Sequence, residues 1–271
     1  MHLKRWITGL TALPFLLLLI FKGSLFHFAI VVSLIAIIAL WEYFHIVLPG
    51  RPEGLGPGPV PYLAYITAPL IIWGSYRQSY QLIVAFITLN LVVAGIMAIL
   101  RFGRDPDVLS TVTKQLLGVI YIPLLLSYLV MLRSESDGSI WVLFLLFIVF
   151  AGDIGALYTG LSLGRHKLCP AVSPKKTIEG SIGGLAANLC IGSIFKAIFL
   201  PELPWGACLV FFVLIGIAGQ IGDLFESIIK RSSNIKDSGS ILPGHGGFLD
   251  RADAAMFAAP VAYYYKILIF G

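Results

Sequence analysis

The sequence predicts an all-α, polytopic membrane protein with about nine transmembrane helices. Apolar residues make up 58% of its 271 positions, charged residues only 12%, and the mean hydropathy is +0.91. Apolar runs of about 17–25 residues, the length that crosses a bilayer core, recur along the whole chain. Polar stretches stay below roughly 25 residues, too short for a separate globular domain. We therefore expect one integral-membrane domain over 1–271, with purely hydrophobic helices in 1–135 and chemistry-bearing helices and loops in 136–271.

The candidate spans are bounded by polar or Pro/Gly-rich turns. A Pro/Gly-rich link over 49–61 must separate the second span from the third, because proline lacks the amide that a helix needs. Pro69 and Pro123 fall inside spans, where they predict kinks. In chain order the spans cover about 6–22, 25–47, 60–76, 79–100, 112–132, 139–163, 180–200, 205–231 and 251–270.

The lysines and arginines predict the orientation. With the N-terminus in the cytoplasm, 14 of the 19 basic residues fall on the cytoplasmic side and 5 on the other, as the positive-inside rule requires. The net charge of +5 is thus explained by loops facing anionic lipid, and no nucleic-acid partner is expected. The two most polar loops, after the sixth and eighth spans, are then both cytoplasmic.

Ionisable residues are concentrated in one segment, 220–253. It holds five carboxylates, four bases and one histidine in an otherwise apolar chain, and such groups beside lipid usually mark a functional site. The carboxylates are Asp223, Glu226, Asp237, Asp250 and Asp253; the bases are Lys230, Arg231, Lys236 and Arg251; the histidine is His245.

Carboxylates from three spans are expected to meet near the inner face of the membrane. Asp223 lies roughly 27 Å along its helix from Trp205, Asp153 lies deeper in its own helix, and Asp250 opens the last span. Carboxylates from separate helices suit Mg²⁺, and the nearby bases suit phosphate. Helix-end capping is the alternative explanation, and it could account for Asp250 or Asp253 alone.

Two further segments offer anion contacts. Glycines flank His245 in PGHGG (243–247), where backbone amides can approach an anion, although a flexible loop explains this motif equally well. His245 is a candidate acid/base or a local hydrogen-bonding group. The loop 164–180 contains Ser173, Lys175, Lys176 and Thr177, just before a helix N-terminus, and these residues could bind phosphate. The alternative is a basic loop that only contacts anionic lipid headgroups.

The segment SIIKRSSNIKDSGSILPGHGGFLDRAD (227–253) resembles the signature of phosphatidate cytidylyltransferases, the CDP-diacylglycerol synthases. The upstream GRHKLCPAVSPKKTIEG and AGDIGALYTG resemble a second conserved region of that family. The signature positions in register are Ser227, Lys230, Arg231, Lys236, Asp237, Pro243, His245, Gly246, Gly247, Asp250, Arg251 and Asp253.

This resemblance implies transfer of a cytidylyl group from CTP to phosphatidic acid at the cytoplasmic face of a bacterial-type inner or plasma membrane. It implies Mg²⁺, either as two divalent ions or as one with a monovalent ion, and a homodimer is compatible with it. The implied metal ligands are Asp223 and Asp250, assisted by Asp153 and Asp253. The implied catalytic residues are Asp223, Asp250, Lys230 and His245. The implied substrate-binding residues are Ser173, Lys175, Lys176, Thr177, Ser227, Arg231, Lys236, Gly246, Gly247 and Arg251.

Two other functions stay open at this point. One is a different membrane phosphotransferase, such as a lipid kinase or a CDP-alcohol phosphatidyltransferase, although the DGxxAR…GxxxD…D signature of the latter is absent from the sequence. The other is an anion transporter, which would typically show two repeated halves. Here the polar residues gather in the C-terminal half without an N-terminal counterpart.

Overall fold

A computed structural model describes residues 14–48, 58–235, 238–239 and 246–271. The described chain is almost entirely helical, with one short β-hairpin. The helices are α1 (14–21), α2 (Leu25–Val47), α3 (Val60–Tyr76), α4 (Tyr80–Arg101), α5 (Val108–Val119), α6 (Leu125–Ser134), α7 (Gly138–Leu163), α8 (Ile178–Phe199), α9 (Trp205–Ser232) and α10 (Leu249–Tyr265). The strands are β1 (Lys167–Cys169) and β2 (Ser173–Thr177).

Six helical segments of the described chain are long and apolar enough to cross a membrane. They are Leu25–Val47, Tyr80–Arg101, Val108–Ser134, Gly138–Leu163, Ile178–Phe199 and Trp205–Ser232. The helices α3 and α10 have 17 residues each. The predicted all-α, polytopic membrane fold is therefore confirmed, while the count of nine spans and the N-in orientation stay predictions.

The helix bounds follow the predicted spans closely, because uninterrupted apolar runs leave little freedom in where a helix ends. The helices α2 and α3 have the predicted limits. Pro123 lies in a π-helical turn, Ile120–Leu124, that joins α5 to α6. Proline has no backbone N–H to donate, and the wider turn tolerates the hydrogen bond that is therefore missing. Of the predicted Pro/Gly link, residues 49–57 lie outside the described residues.

The described residues pack into two compact units. The first comprises the described residues within Met1–Ser134 and Ser232–Asp250, and the second comprises Glu135–Arg231 and Arg251–Gly271. The prediction that 1–271 form one membrane domain stays a prediction.

The first unit is built around α3, which packs against α2, α4, α5 and α6. Its interior contains a chain of buried polar groups: the Gln115 amide donates to Asn90, the Asn90 amide donates to Thr67, and the Thr67 hydroxyl donates to the Leu63 carbonyl oxygen. Hydrogen bonding of this kind offsets the cost of placing polar groups among apolar helices.

The second unit packs α7, α8, α9 and α10 around an aromatic core. The rings of Phe144 and Phe195 stack with centroids 4.7 Å apart, and Phe211 and Phe212 lie against Phe144. Small residues bring the helix backbones close: a side chain at Gly152 or Gly216 would collide with the buried Asn188. This close packing holds the backbones of α7, α8 and α9 close to one another within the second unit.

Candidate active site

Three carboxylates of the second unit form a compact cluster. Asp223 and Glu226 lie one turn apart on α9, and Asp253 lies in the second turn of α10. One carboxylate oxygen from each residue lies within 4.8 Å of the other two. Glu226 and Asp253 are buried, with 1% and 7% exposure, and Asp223 is half-buried. We refer to Asp223, Glu226 and Asp253 as the carboxylate cluster.

The cluster depends on the close approach of α9 to α10. A Cβ atom at Gly222 would lie 3.1 Å from the carbonyl carbon of Asp253 and from Cβ of Phe257. One turn earlier, Gly219 faces Ala254 with more room. Glycine at 222 therefore lets the backbone of Asp253 reach α9, and with it the third carboxylate.

Lysines neutralise part of this negative charge. Lys176 on β2 forms an ion pair with Asp223, and the Lys230 ammonium lies 2.5 Å from Glu226 on the same helix. Asp153 on α7 adds a fourth carboxylate, which interacts electrostatically with Asp223, Lys176 and Arg251. Carboxylates that are this close and this buried repel one another strongly unless cations hold them together.

This donor set fits a hard divalent cation. Mg²⁺ prefers carboxylate oxygens and completes its octahedral shell with water or phosphate oxygens. Two of the three clustered carboxylates are buried and the third is partly exposed, so these side chains could hold an ion without enclosing it completely. The described residues contain no other cluster of this kind.

The β-hairpin brings its basic residues to α9 at two points. One is the Lys176–Asp223 ion pair, and the other is a hydrogen bond of 3.3 Å from Arg231 Nε to the carbonyl oxygen of Val172. Lys175 is exposed, whereas Thr177 is buried and caps α8 by accepting a hydrogen bond of 3.1 Å from the Gly180 amide. The hairpin was not predicted, since 164–180 was interpreted only as a basic loop.

Asp250 lies in the first unit and organises its own segment. Its Oδ2 accepts hydrogen bonds from the Ser238 amide (3.1 Å), the Ser238 hydroxyl (2.8 Å) and the Gly247 amide (3.0 Å). Gly246 has a φ of 84°, a conformation that glycine adopts without strain. The backbone conformation therefore favours glycine at 246. At 247 a side chain would collide with the Ser238 hydroxyl, so glycine is needed there too.

The predicted site residues are distributed as follows. The second unit brings together Asp153, Asp223, Asp253, Lys176, Lys230 and Arg251, and holds Ser227 buried on α9. Asp250, Gly246 and Gly247 belong to the first unit, and their part in the cluster stays a prediction. Lys236 and His245 lie outside the described residues. Glu226 was not among the predicted ligands; its position three residues after Asp223, on the same helix face, was the sequence signal that could have identified it.

Comparison with known proteins identifies the family. A family model described as the cytidylyltransferase family matches residues 3–269. The chain belongs to the cytidylyltransferase family. Phosphatidate cytidylyltransferase of Bacillus subtilis is 31% identical to this chain over 268 residues, covering 96% of both proteins. The protein of the same name from Synechocystis is 33% identical, covering 99% of this chain and 98% of the relative.

A third relative, phosphatidate cytidylyltransferase of Staphylococcus aureus, is 32% identical over 265 residues and covers 95% of this chain and 96% of the relative. The match therefore extends over the hydrophobic N-terminal helices as well as the polar C-terminal segment. The chain is an integral membrane enzyme of the nucleotidyltransferase class. This membership argues against the transporter alternative.

Proposed function

We propose that this protein transfers a cytidylyl group from CTP to phosphatidic acid, forming CDP-diacylglycerol and pyrophosphate for phospholipid biosynthesis. Its family and its full-length relatives, which are named phosphatidate cytidylyltransferases, support this reaction. The observation that carries the proposal is the carboxylate cluster with its two lysines, formed where α10 meets the candidate membrane span α9.

The cluster is the proposed site of Mg²⁺. Asp223, Glu226 and Asp253 would hold the ion, with Asp153 close enough to add to the field and Asp250 as a further predicted ligand. A bound Mg²⁺ neutralises phosphate charge and orients phosphate oxygens for displacement. Whether one or two divalent ions bind, or one with a monovalent ion, is open in this proposal.

The reaction needs no nucleophile from the protein. A phosphate oxygen of phosphatidic acid attacks the α-phosphorus of CTP and forms a new P–O bond. The bond from the α-phosphorus to the oxygen that bridges to the β-phosphate breaks, and pyrophosphate leaves with the electron pair. The protein's part is to position the two phosphate groups and to neutralise charge as the bond breaks.

Lysines and arginines supply this neutralisation in our proposal. Lys176 and Lys230 are already placed beside carboxylates, so their ammonium groups are held at the site where phosphate oxygens would bind. Arg251 lies in the same electrostatic environment as Asp153. The cytoplasmic side of the membrane is the proposed location, because CTP and the basic loops are both expected there.

An assay with labelled CTP tests the proposed function. Purified protein with phosphatidic acid, Mg²⁺ and α-labelled CTP should yield labelled lipid, while γ-labelled CTP should label only pyrophosphate. Asp223→Asn should lower the product by at least about 100-fold. Glu202→Gln, a change in an exposed loop, serves as the control and should retain activity. Transfer of γ-label to lipid would overturn the proposal in favour of a lipid kinase.

A further inference from the structure

A buried carboxylate in the first unit is not explained by the site described above. Glu42 lies on α2 within the apolar run LWEYFHIV, and none of its surface is exposed. Burying a carboxylate away from water is costly unless hydrogen-bond donors surround it. The donors that surround Glu42 therefore indicate its role.

The donors belong to the segment that begins α10, more than 200 residues further along the chain. Oε1 of Glu42 accepts a hydrogen bond of 3.0 Å from the Phe248 amide, and Oε2 accepts one of 2.8 Å from the Leu249 amide. The Ser238 hydroxyl lies 3.4 Å from the same Oε2. Amides at a helix N-terminus have no partner within the helix and carry a partial positive charge, so a carboxylate suits them.

Glycines allow this close approach. A Cβ atom at Gly239 would lie 2.6 Å from Oε1 of Glu42, and one at Gly247 would lie 2.7 Å from Oε2. Asp250 binds the same segment from the other side, through Ser238 and the Gly247 amide. Two carboxylates thus fix residues 238–239 and 246–250, one from within the segment and one from α2.

We propose that Glu42 is a positioning residue for the cytidylyl transfer, an inference that rests on the proposed function. By binding the amides of Phe248 and Leu249, Glu42 fixes the start of α10, where Asp250 lies. It acts through this backbone and does not touch a substrate. An N-terminal helix, which the sequence suggested to be merely hydrophobic, thereby takes part in arranging the reactive segment.

Substitution by glutamine removes the charge but keeps the size. One of the two oxygens becomes an NH₂ group that faces an amide donor, so one hydrogen bond is replaced by repulsion. We expect Glu42→Gln to lower kcat at least about tenfold while KM for CTP changes less than about threefold, because a misplaced helix start affects the transition state most. Glu42→Asp keeps the charge on a shorter stem and should restore part of the lost kcat.

Hydrogen–deuterium exchange provides a readout that does not depend on activity. Exchange at the amides of Phe248 and Leu249 should become at least about tenfold faster in Glu42→Gln than in the wild type. Ser79→Ala removes the N-cap of α4 in the same unit and is the matched control. It should leave both kcat and the exchange of these two amides unchanged.

The outcomes separate this inference from the proposed function. Unchanged exchange at 248–249 in Glu42→Gln, or faster exchange with an unchanged kcat, would overturn the positioning role. If Glu42→Gln does not fold, Glu42→Asp carries the test with the charge retained, and it must lower kcat and accelerate exchange at 248–249 relative to the wild type to support the inference. A wild-type protein without cytidylyl transfer would overturn the proposed function, while the exchange rates would still decide whether Glu42 holds the segment.

Discussion

Substitution of Gly222 by alanine tests whether the contact between α9 and α10 sets the geometry of the carboxylate cluster. The new Cβ would collide with the Asp253 carbonyl oxygen and would lie 3.1 Å from both the Asp253 carbonyl carbon and the Phe257 Cβ. Carbon atoms prefer separations of about 3.5–4.0 Å, so the two helices must move apart by roughly 0.5–1 Å. Because the obstacle includes backbone, a rotamer change cannot relieve it.

The energetic cost follows from this displacement. Overpacking costs about 1–3 kcal/mol, and the higher helix propensity of alanine returns up to about 1 kcal/mol. We expect the free energy of unfolding of Gly222→Ala to fall by about 1–2 kcal/mol. A shift of roughly 1 Å in a reactive group costs on the order of 100-fold in rate, so cytidylyl transfer should fall more than stability does.

Gly219→Ala is the matched control, on the same helix and one turn earlier. A Cβ there would lie 3.6 Å from Cβ of Ala254, an ordinary contact, so activity should stay near the wild-type value and the free energy of unfolding should stay equal or rise by up to about 1 kcal/mol. Thermal unfolding in detergent and release of pyrophosphate measure the two quantities. If Gly222→Ala behaves like Gly219→Ala in both assays, the spacing between α9 and α10 does not govern the site.

Three further substitutions test individual contacts. Lys176→Met removes the ion pair with Asp223 and should lower cytidylyl transfer at least about tenfold. Lys167→Met changes an exposed lysine on the partner strand and should not lower the rate. Equal rates in these two variants would contradict the role of Lys176. Thr177→Ala should lower the free energy of unfolding by about 1 kcal/mol, whereas Thr177→Ser keeps the capping hydroxyl and should unfold like the wild type. An unchanged unfolding temperature in Thr177→Ala would exclude the capping role. Asp250→Asn keeps an oxygen that can accept hydrogen bonds but removes the negative charge, so labelled lipid should fall at least about 100-fold, and a near-normal yield would contradict a need for that charge.

The helices could be predicted from the sequence because apolar length alone determines where a span can lie. The limits of α2 and α3 were predicted to the residue, and those of α7 and α9 within one residue. The β-hairpin could not be predicted in the same way. Its strands contain lysine and proline and lack the alternation of apolar and polar residues by which a strand is recognised.

The site could be predicted only in part, because sequence spacing gives no distances between helices. Asp223 and Asp253 were predicted as ligands, and they do share a cluster. Glu226 was counted among the carboxylates of 220–253 but was not predicted as a ligand, and it is the third member of the cluster. Glu42 was overlooked because its partners lie more than 200 residues away, although a lone carboxylate inside an apolar span is itself a signal.

Binding of Mn²⁺, followed by electron paramagnetic resonance, tests the central claim most directly. Mn²⁺ shares the oxygen preference of Mg²⁺, and its free and bound forms can be counted without any turnover. The account predicts that Glu226→Gln and Asp253→Asn each weaken Mn²⁺ binding at least about tenfold, while Glu202→Gln binds like the wild type. Titrations of Glu226→Gln and Asp253→Asn that coincide with the wild type would contradict a cation site at the carboxylate cluster.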